Sequence, residues 1–173
     1  LDVHLLADGR VAVFHDDSLK RMCGADVDIK DLTAAKLKKY RLSGTNEYIP
    51  LLKDVLALVN GAVPIIIELK YDAPVGKLEK ALAQLLDGYT GEYALKSFHP
   101  LIAWKLRRLF RDHPVGQLFS CDMFKDLSGI KEWGFRKAVN WSMYFSDFIS
   151  VNNDDLDVSV IATLRNLRKP ILA

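Results

Sequence analysis

Cysteine is scarce: only Cys23 and Cys121 occur, almost a hundred residues apart, which fits neither a disulfide scaffold nor a zinc site. An excess of one charge is missing too. The 24 basic and 22 acidic side chains leave a net +2 and are interleaved along the chain, so nothing marks a nucleic-acid partner. No apolar run approaches the ~20 residues that span a bilayer, which excludes a membrane segment. No glycine fingerprint stands between a strand and its helix, so a dinucleotide fold has no support. Internal repeats, low-complexity stretches and linkers are absent as well. What is present is apolar: half of the 173 residues, enough to exclude a disordered chain. At ~150 residues per domain, residues 1–173 form one domain with a real core.

The ends are strand-like. The chain opens at Leu1-Asp2-Val3 without Met or a leader-like segment, and closes on Pro170-Ile171-Leu172-Ala173. A cut strand leaves unpaired backbone groups, so a fragment of a longer protein is expected. The missing leader then says nothing firm about location, and a cytoplasmic place is the expectation.

Two apolar runs, 1–6 and 11–14, flank Ala7-Asp8-Gly9, a hairpin signal. Residues 16–50 are mixed and polar, with a short helix over 33–40 that Thr33 can cap. A helix over 51–59 closes at Asn60-Gly61. The β-branched run 65–69 reads as a strand buried on both faces. Helices over 78–86 and 101–110 then alternate with strands at 93–98 and 115–120. A helical and loop stretch to about 142, a strand at 148–151, a helix over 158–167 and a strand from Ile171 complete the series. Such alternation means βα units and a parallel sheet. A (β/α)8 barrel typically takes ~250 residues, and this chain holds roughly six strands' worth. The expected fold is therefore α/β, a (β/α)8 TIM-type barrel incomplete at both ends, with a small hairpin insertion (about 7–50) after the first strand.

Barrel sites form at the C-terminal strand ends. Asp2 lies in the opening strand, and Glu68 and Lys70 close the 65–69 strand, two residues apart and so on one side. A carboxylate there is costly unless paired or metal-bound, so the pair is either a structural cap or part of a site. His15, before Asp16-Asp17, is either a surface or capping residue or an acid–base group returned beside Asp2 by the hairpin. His4, His99 and His113 read as structural or exposed. Lys105, Arg107, Arg108 and Arg111 read as a solvated outer helix face. Trp133, Trp141, Tyr144 and Phe145 either pack internally or wall a substrate groove.

Leu1-Asp2-Val3, Asp8-Gly9, Val13-Phe14-His15-Asp16, Leu19-x-Arg21, Gly24, Ile49-Pro50-Leu51, Ile67-Glu68-Leu69-Lys70 and Ser97-Phe98 stand in a distinctive order and spacing. Together they resemble the glycerophosphodiester phosphodiesterase family, a metal-dependent branch of the phospholipase-C-like barrels, most densely through residue 70. The resemblance implies a divalent cation, Ca²⁺ or Mg²⁺, held by a Glu-x-Asp pair and a later Glu. Asp2 and Glu68 match the second and third ligands, and the first would stand one residue before Leu1. It also implies that His15 is one of two catalytic histidines, the acid, and that Lys70 faces the phosphate. The His-Arg-Gly strand carrying the other histidine has no counterpart here. Met22-Cys23 departs from the Thr many relatives carry before the glycine.

An oxygen-liganded hard cation neutralises an anionic phosphodiester, and Lys70 adds a second positive charge. One histidine deprotonates the nucleophile, which can be the substrate's own glycerol hydroxyl, and the other protonates the leaving alkoxide. The implied function is metal-dependent hydrolysis of a small-molecule glycerophosphodiester to glycerol phosphate and an alcohol. Residues 1–173 alone are expected to be inactive. The alternatives are a lipid-directed phosphodiesterase of lysophospholipase D type on the same barrel, and a catalytically dead phosphoglycerol-binding module.

Overall fold

Alternation at period two starts the chain as a strand, and a left-handed glycine folds it back. In the computed structural model, which describes residues 1–71, 73–155 and 168–172, β1 (Asp2–Leu5) pairs antiparallel with β2 (Val11–Val13), Val3 opposite Val13. Gly9 sits in the turn at φ +79°, where a side chain would be strained. The chain divides into two compact units, Leu1–Tyr93 and Ala94–Ala173.

In the first unit β1 also pairs parallel with β3 (Ile65–Leu69). The intervening segment folds as α1 (Lys20–Cys23), a single 3-10 turn (Ile29–Asp31) and α2 (Ala34–Leu37), with Thr33 accepting from Lys36 N–H as its N-cap. This insertion has its own core: Phe14, Leu19, Ile29, Leu37 and Ile49 close over Leu6 and Ala12 of the hairpin. Burying a side chain such as Leu19 is worth about 1.5–3 kcal/mol, enough in sum to hold the hairpin arm in one position. α3 (Leu52–Val59) ends where Asn60 adopts φ +45°, and α4 (Lys77–Leu86) buries Leu78, Leu82 and Leu86. One expectation for β3 fails. Ile66 is 42 % exposed while Glu68 on the same face is buried, so the strand is covered on one face and only partly on the other.

β4 (Tyr93–Ser97) begins at the boundary. The second unit continues with α5 (Pro100–Leu109), β5 (Val115–Phe119), a 3-10 turn (Cys121–Phe124), α6 (Gly129–Phe145), β6 (Phe148–Val151), a 3-10 turn (Asn153–Asp155) and β7 (Ile171–Leu172). β4, β5, β6 and β7 pair in parallel in that order. Pro100 opens α5 where no N–H is needed. Gly116 is required in β5, since a Cβ there would run into the Phe148 ring. Buried Gln117 places its Nε2 within hydrogen-bond distance of the carbonyls of Ser97, Phe98 and Leu118, its two N–H groups shared among the three, and accepts from the Ser142 hydroxyl, tying the end of β4 to β5 and α6. The helix expected over 158–167 lies outside the described residues.

Candidate active site

Register places the first two acidic residues. Asp2 is opposite Glu68 in the parallel β1–β3 pair, and β3 ends one residue later, so both carboxylates stand at its C-terminal end. The backbone fixes them firmly: Leu1 N–H donates to Ile66 O, Glu68 N–H to Leu1 O and Lys70 N–H to Val3 O. β1 then runs on past the end of β3 as the hairpin arm.

Lys70 lies between the carboxylates. Its Nζ donates to Glu68 Oε1 at 2.6 Å and stands 3.2 Å from Asp2 Oδ1. Burial works to lower the Lys70 pKa, but the Glu68 hydrogen bond and the charges of Glu68 and Asp2 together outweigh it and hold the ammonium above its usual value. Glu68 is buried and Asp2 half-buried. The expected cluster of Asp2, Glu68 and Lys70 is thus assembled, by backbone geometry rather than by flexible side chains.

His15 occupies the adjoining hairpin. Phe14 N–H donates to Asp2 O at 2.9 Å, so the residue before His15 is pinned to the backbone of Asp2. The exposed His15 ring is not in the carboxylate cluster; its Nδ1 bonds Asp16 Oδ1 at 2.9 Å. Arg21 grips the same carboxylate in a fork, Nε at 2.7 Å and Nη2 at 2.8 Å. The Arg21 hydrogen bonds, helped by His15, pull the Asp16 pKa down to about 2. An ionised Asp16 can only accept, which puts the proton on His15 Nδ1 and leaves Nε2 for exchange. In the sequence alone Asp16 and Arg21 carry no role. Their five-residue spacing follows no helix or strand period, and only the loop fold brings them together.

Two side-by-side carboxylates that draw in a lysine are oxygen donors suited to a hard cation, and by that chemistry Asp2 and Glu68 fit part of a divalent-cation site. Among the described residues no three His, Cys, Asp or Glu side chains gather around one point. His4 is fully buried, and His99, the N-cap residue of α5, is half-buried with a pKa lowered by burial. Trp133, Trp141 and Tyr144 do not pack internally; they are exposed on α6, with Phe145 half-buried. No helix among the described residues is long and apolar enough to cross a membrane.

The sequence profile of the glycerophosphoryl diester phosphodiesterase family matches residues 1–149. A lysophospholipase D of Homo sapiens is 33 % identical over 105 residues, covering 54 % of this chain and 32 % of that protein's length. The structure of a phosphodiesterase from Oleispira antarctica, in complex with the product sn-glycerol-3-phosphate, superposes with a TM-score of 0.78. It is 18 % identical, and the match covers 98 % of this chain and 69 % of that one. A glycerophosphodiester phosphodiesterase from Thermotoga maritima gives a TM-score of 0.67 at 26 % identity, over 97 % of this chain and 66 % of that one. These likenesses show the fold: α/β, an incomplete (β/α)8-type barrel.

Proposed function

Since the chain belongs to the glycerophosphoryl diester phosphodiesterase family, we propose that the protein of which it forms part hydrolyses glycerophosphodiesters to glycerol phosphate and an alcohol. The observation that carries this reading is the juxtaposition of Asp2, Glu68 and Lys70 at the end of β3, with His15 on the arm pinned to Asp2. Asp2 and Glu68 would hold a divalent cation, Ca²⁺ or Mg²⁺, which when bound supplies Lewis-acid neutralisation of the phosphate charge. Lys70, kept protonated by its two carboxylates, offers a further positive charge to a non-bridging phosphate oxygen. His15, its Nδ1–H held by Asp16, would act as the acid in its doubly protonated form, giving the Nε2 proton to the departing alkoxide as the P–O bond breaks and ending as the neutral Nδ1–H ring. Arg21 acts through Asp16, as a positioning residue.

A second reading, hydrolysis of a lysophospholipid headgroup, is favoured by the similarity to a lysophospholipase D. The deciding experiment assays the full-length protein on glycerophosphocholine and on lysophosphatidylcholine, with Ca²⁺ or Mg²⁺ and with chelator. Cation-dependent release of glycerol phosphate supports the first reading, and preference for the lysolipid the second. No turnover of either, with retained binding of glycerol phosphate, would leave a binding module.

A further inference from the structure

α6 is apolar on two opposite sides. Val139, Ser142 and Met143 face the core, while Ile130, Trp133, Lys137, Trp141 and Tyr144 recur at three- and four-residue steps along the other side. That outer stripe is open: Ile130 is 88 % exposed, Trp133 61 %, Trp141 49 % and Tyr144 67 %. α5 extends it, since Trp104 lies 6.3 Å from Trp141, ring centre to ring centre. Basic groups sit among the rings, Lys137 4.4 Å above Trp133 and Arg108 4.8 Å above Trp104.

We propose that this face of α5 and α6 docks the protein peripherally on an anionic phospholipid surface. Charge complementarity selects that occupant. α5 and α6 carry six basic residues and one acidic residue, Glu132, which is already paired with Arg136. The two helices hold +5, or +4 once the Arg107–Asp147 ion pair is counted, in a chain whose net charge is +2, so the positive charge is concentrated here. Indole and phenol rings sit at the headgroup level of a bilayer, with lysine and arginine beside them reaching lipid phosphates. A protein partner would call for a drier, charge-depleted centre, whereas here cations interleave with the rings. This docking is separate from the hydrolytic reading and stands on different residues.

Trp104, Trp133 and Trp141, the three tryptophans of residues 1–173, all belong to this face, so the difference in emission between the protein and its Trp133→Phe, Trp141→Phe variant reports on it. The test mixes the full-length protein with phosphatidylcholine vesicles, with and without phosphatidylserine, and follows tryptophan emission and co-sedimentation. A blue shift and sedimentation confined to the anionic vesicles, and reversed by salt, are expected. Lys131→Glu with Lys137→Glu should weaken binding on the order of tenfold or more, at about 1 kcal/mol per basic residue. Ile130→Ser, at the most exposed of these sites, should weaken it while leaving circular dichroism and phosphodiesterase turnover on glycerophosphocholine unchanged. Binding that ignores phosphatidylserine, or no binding by a protein that folds, would overturn the proposal. So would a stable dimer in sedimentation equilibrium whose tryptophans are shielded without lipid.

Discussion

Replacing Glu68 with Gln should separate a catalytic from a structural role for the carboxylate cluster. The amide keeps the shape and one acceptor oxygen but removes a charge beside Lys70 Nζ, 2.6 Å away. Removing one partner of a fully buried ion pair costs about 3–5 kcal/mol, because the other charge is stranded. Here Lys70 keeps Asp2 at 3.2 Å, and Asp2 is half-exposed, so screening reduces the loss to about 1–2 kcal/mol. The fold should survive that loss. Cation affinity and turnover should both fall at least ~10²-fold, since a charged oxygen donor has been removed from the site. Calorimetric titration of the full-length protein with Ca²⁺ or Mg²⁺, beside urea unfolding of both forms, measures the two effects separately. Undiminished cation binding would remove Glu68 from the ligand set. A stability loss much larger than predicted, with activity per folded molecule intact, would make the cluster a structural cap.

His15→Ala should slow cleavage on the order of 10²–10⁴-fold for substrates with poor leaving groups, and much less for an activated aryl ester that needs no protonation; equal loss on both would refute the acid role. Asp16 has a folded pKa of about 2 against a usual 3.8, so its contribution to stability is complete above 3.8 and is lost as pH falls through about 2. An NMR titration of the Asp16 carboxyl with its midpoint near the ordinary ~4 would show that the Arg21 clamp does not form in solution. Residues 1–173 expressed alone, with one matched histidine and two matched cation ligands, should show no measurable turnover of glycerophosphocholine; robust turnover would show that these residues already contain a complete catalytic set.

Local signals were legible wherever one residue type or one period decides the outcome. The strand at 65–69, the Asp8-Gly9 turn, the Thr33 cap and the Asn60 stop all appear where propensity and chain chemistry place them. The pairing of Asp2 with Glu68 was legible only through family resemblance, because register between strands 66 residues apart is not written in either strand. The exposure of Ile66 and of the α6 aromatics was not legible for a common reason. Hydrophobicity says that a residue prefers to be covered, but what lies opposite its face is a tertiary fact. In α6 both stripes satisfy the helical period, and the one holding Val139 and Met143 turns inward. The Asp16–Arg21 fork escaped because no period predicts it.

The charge of the cluster bears on what it can hold. Two ionised carboxylates and one ammonium sum to −1, and the carboxylates stand side by side at the end of β3. A phosphodiester brings a further negative charge, and at the reduced dielectric of a half-buried site that repulsion is not washed out by water. Lys70 cannot reverse it, because its ammonium already spans Glu68 and Asp2. With a divalent cation held by Asp2 and Glu68 the sum would be +1, and Lys70 would then be able to turn toward the substrate. The acidic pair is therefore at odds with anion binding by these side chains alone, and a cation held by them would remove the conflict. On the proposed reading, Lys70 would pass from balancing the two carboxylates to sharing its charge with the phosphate of a bound substrate.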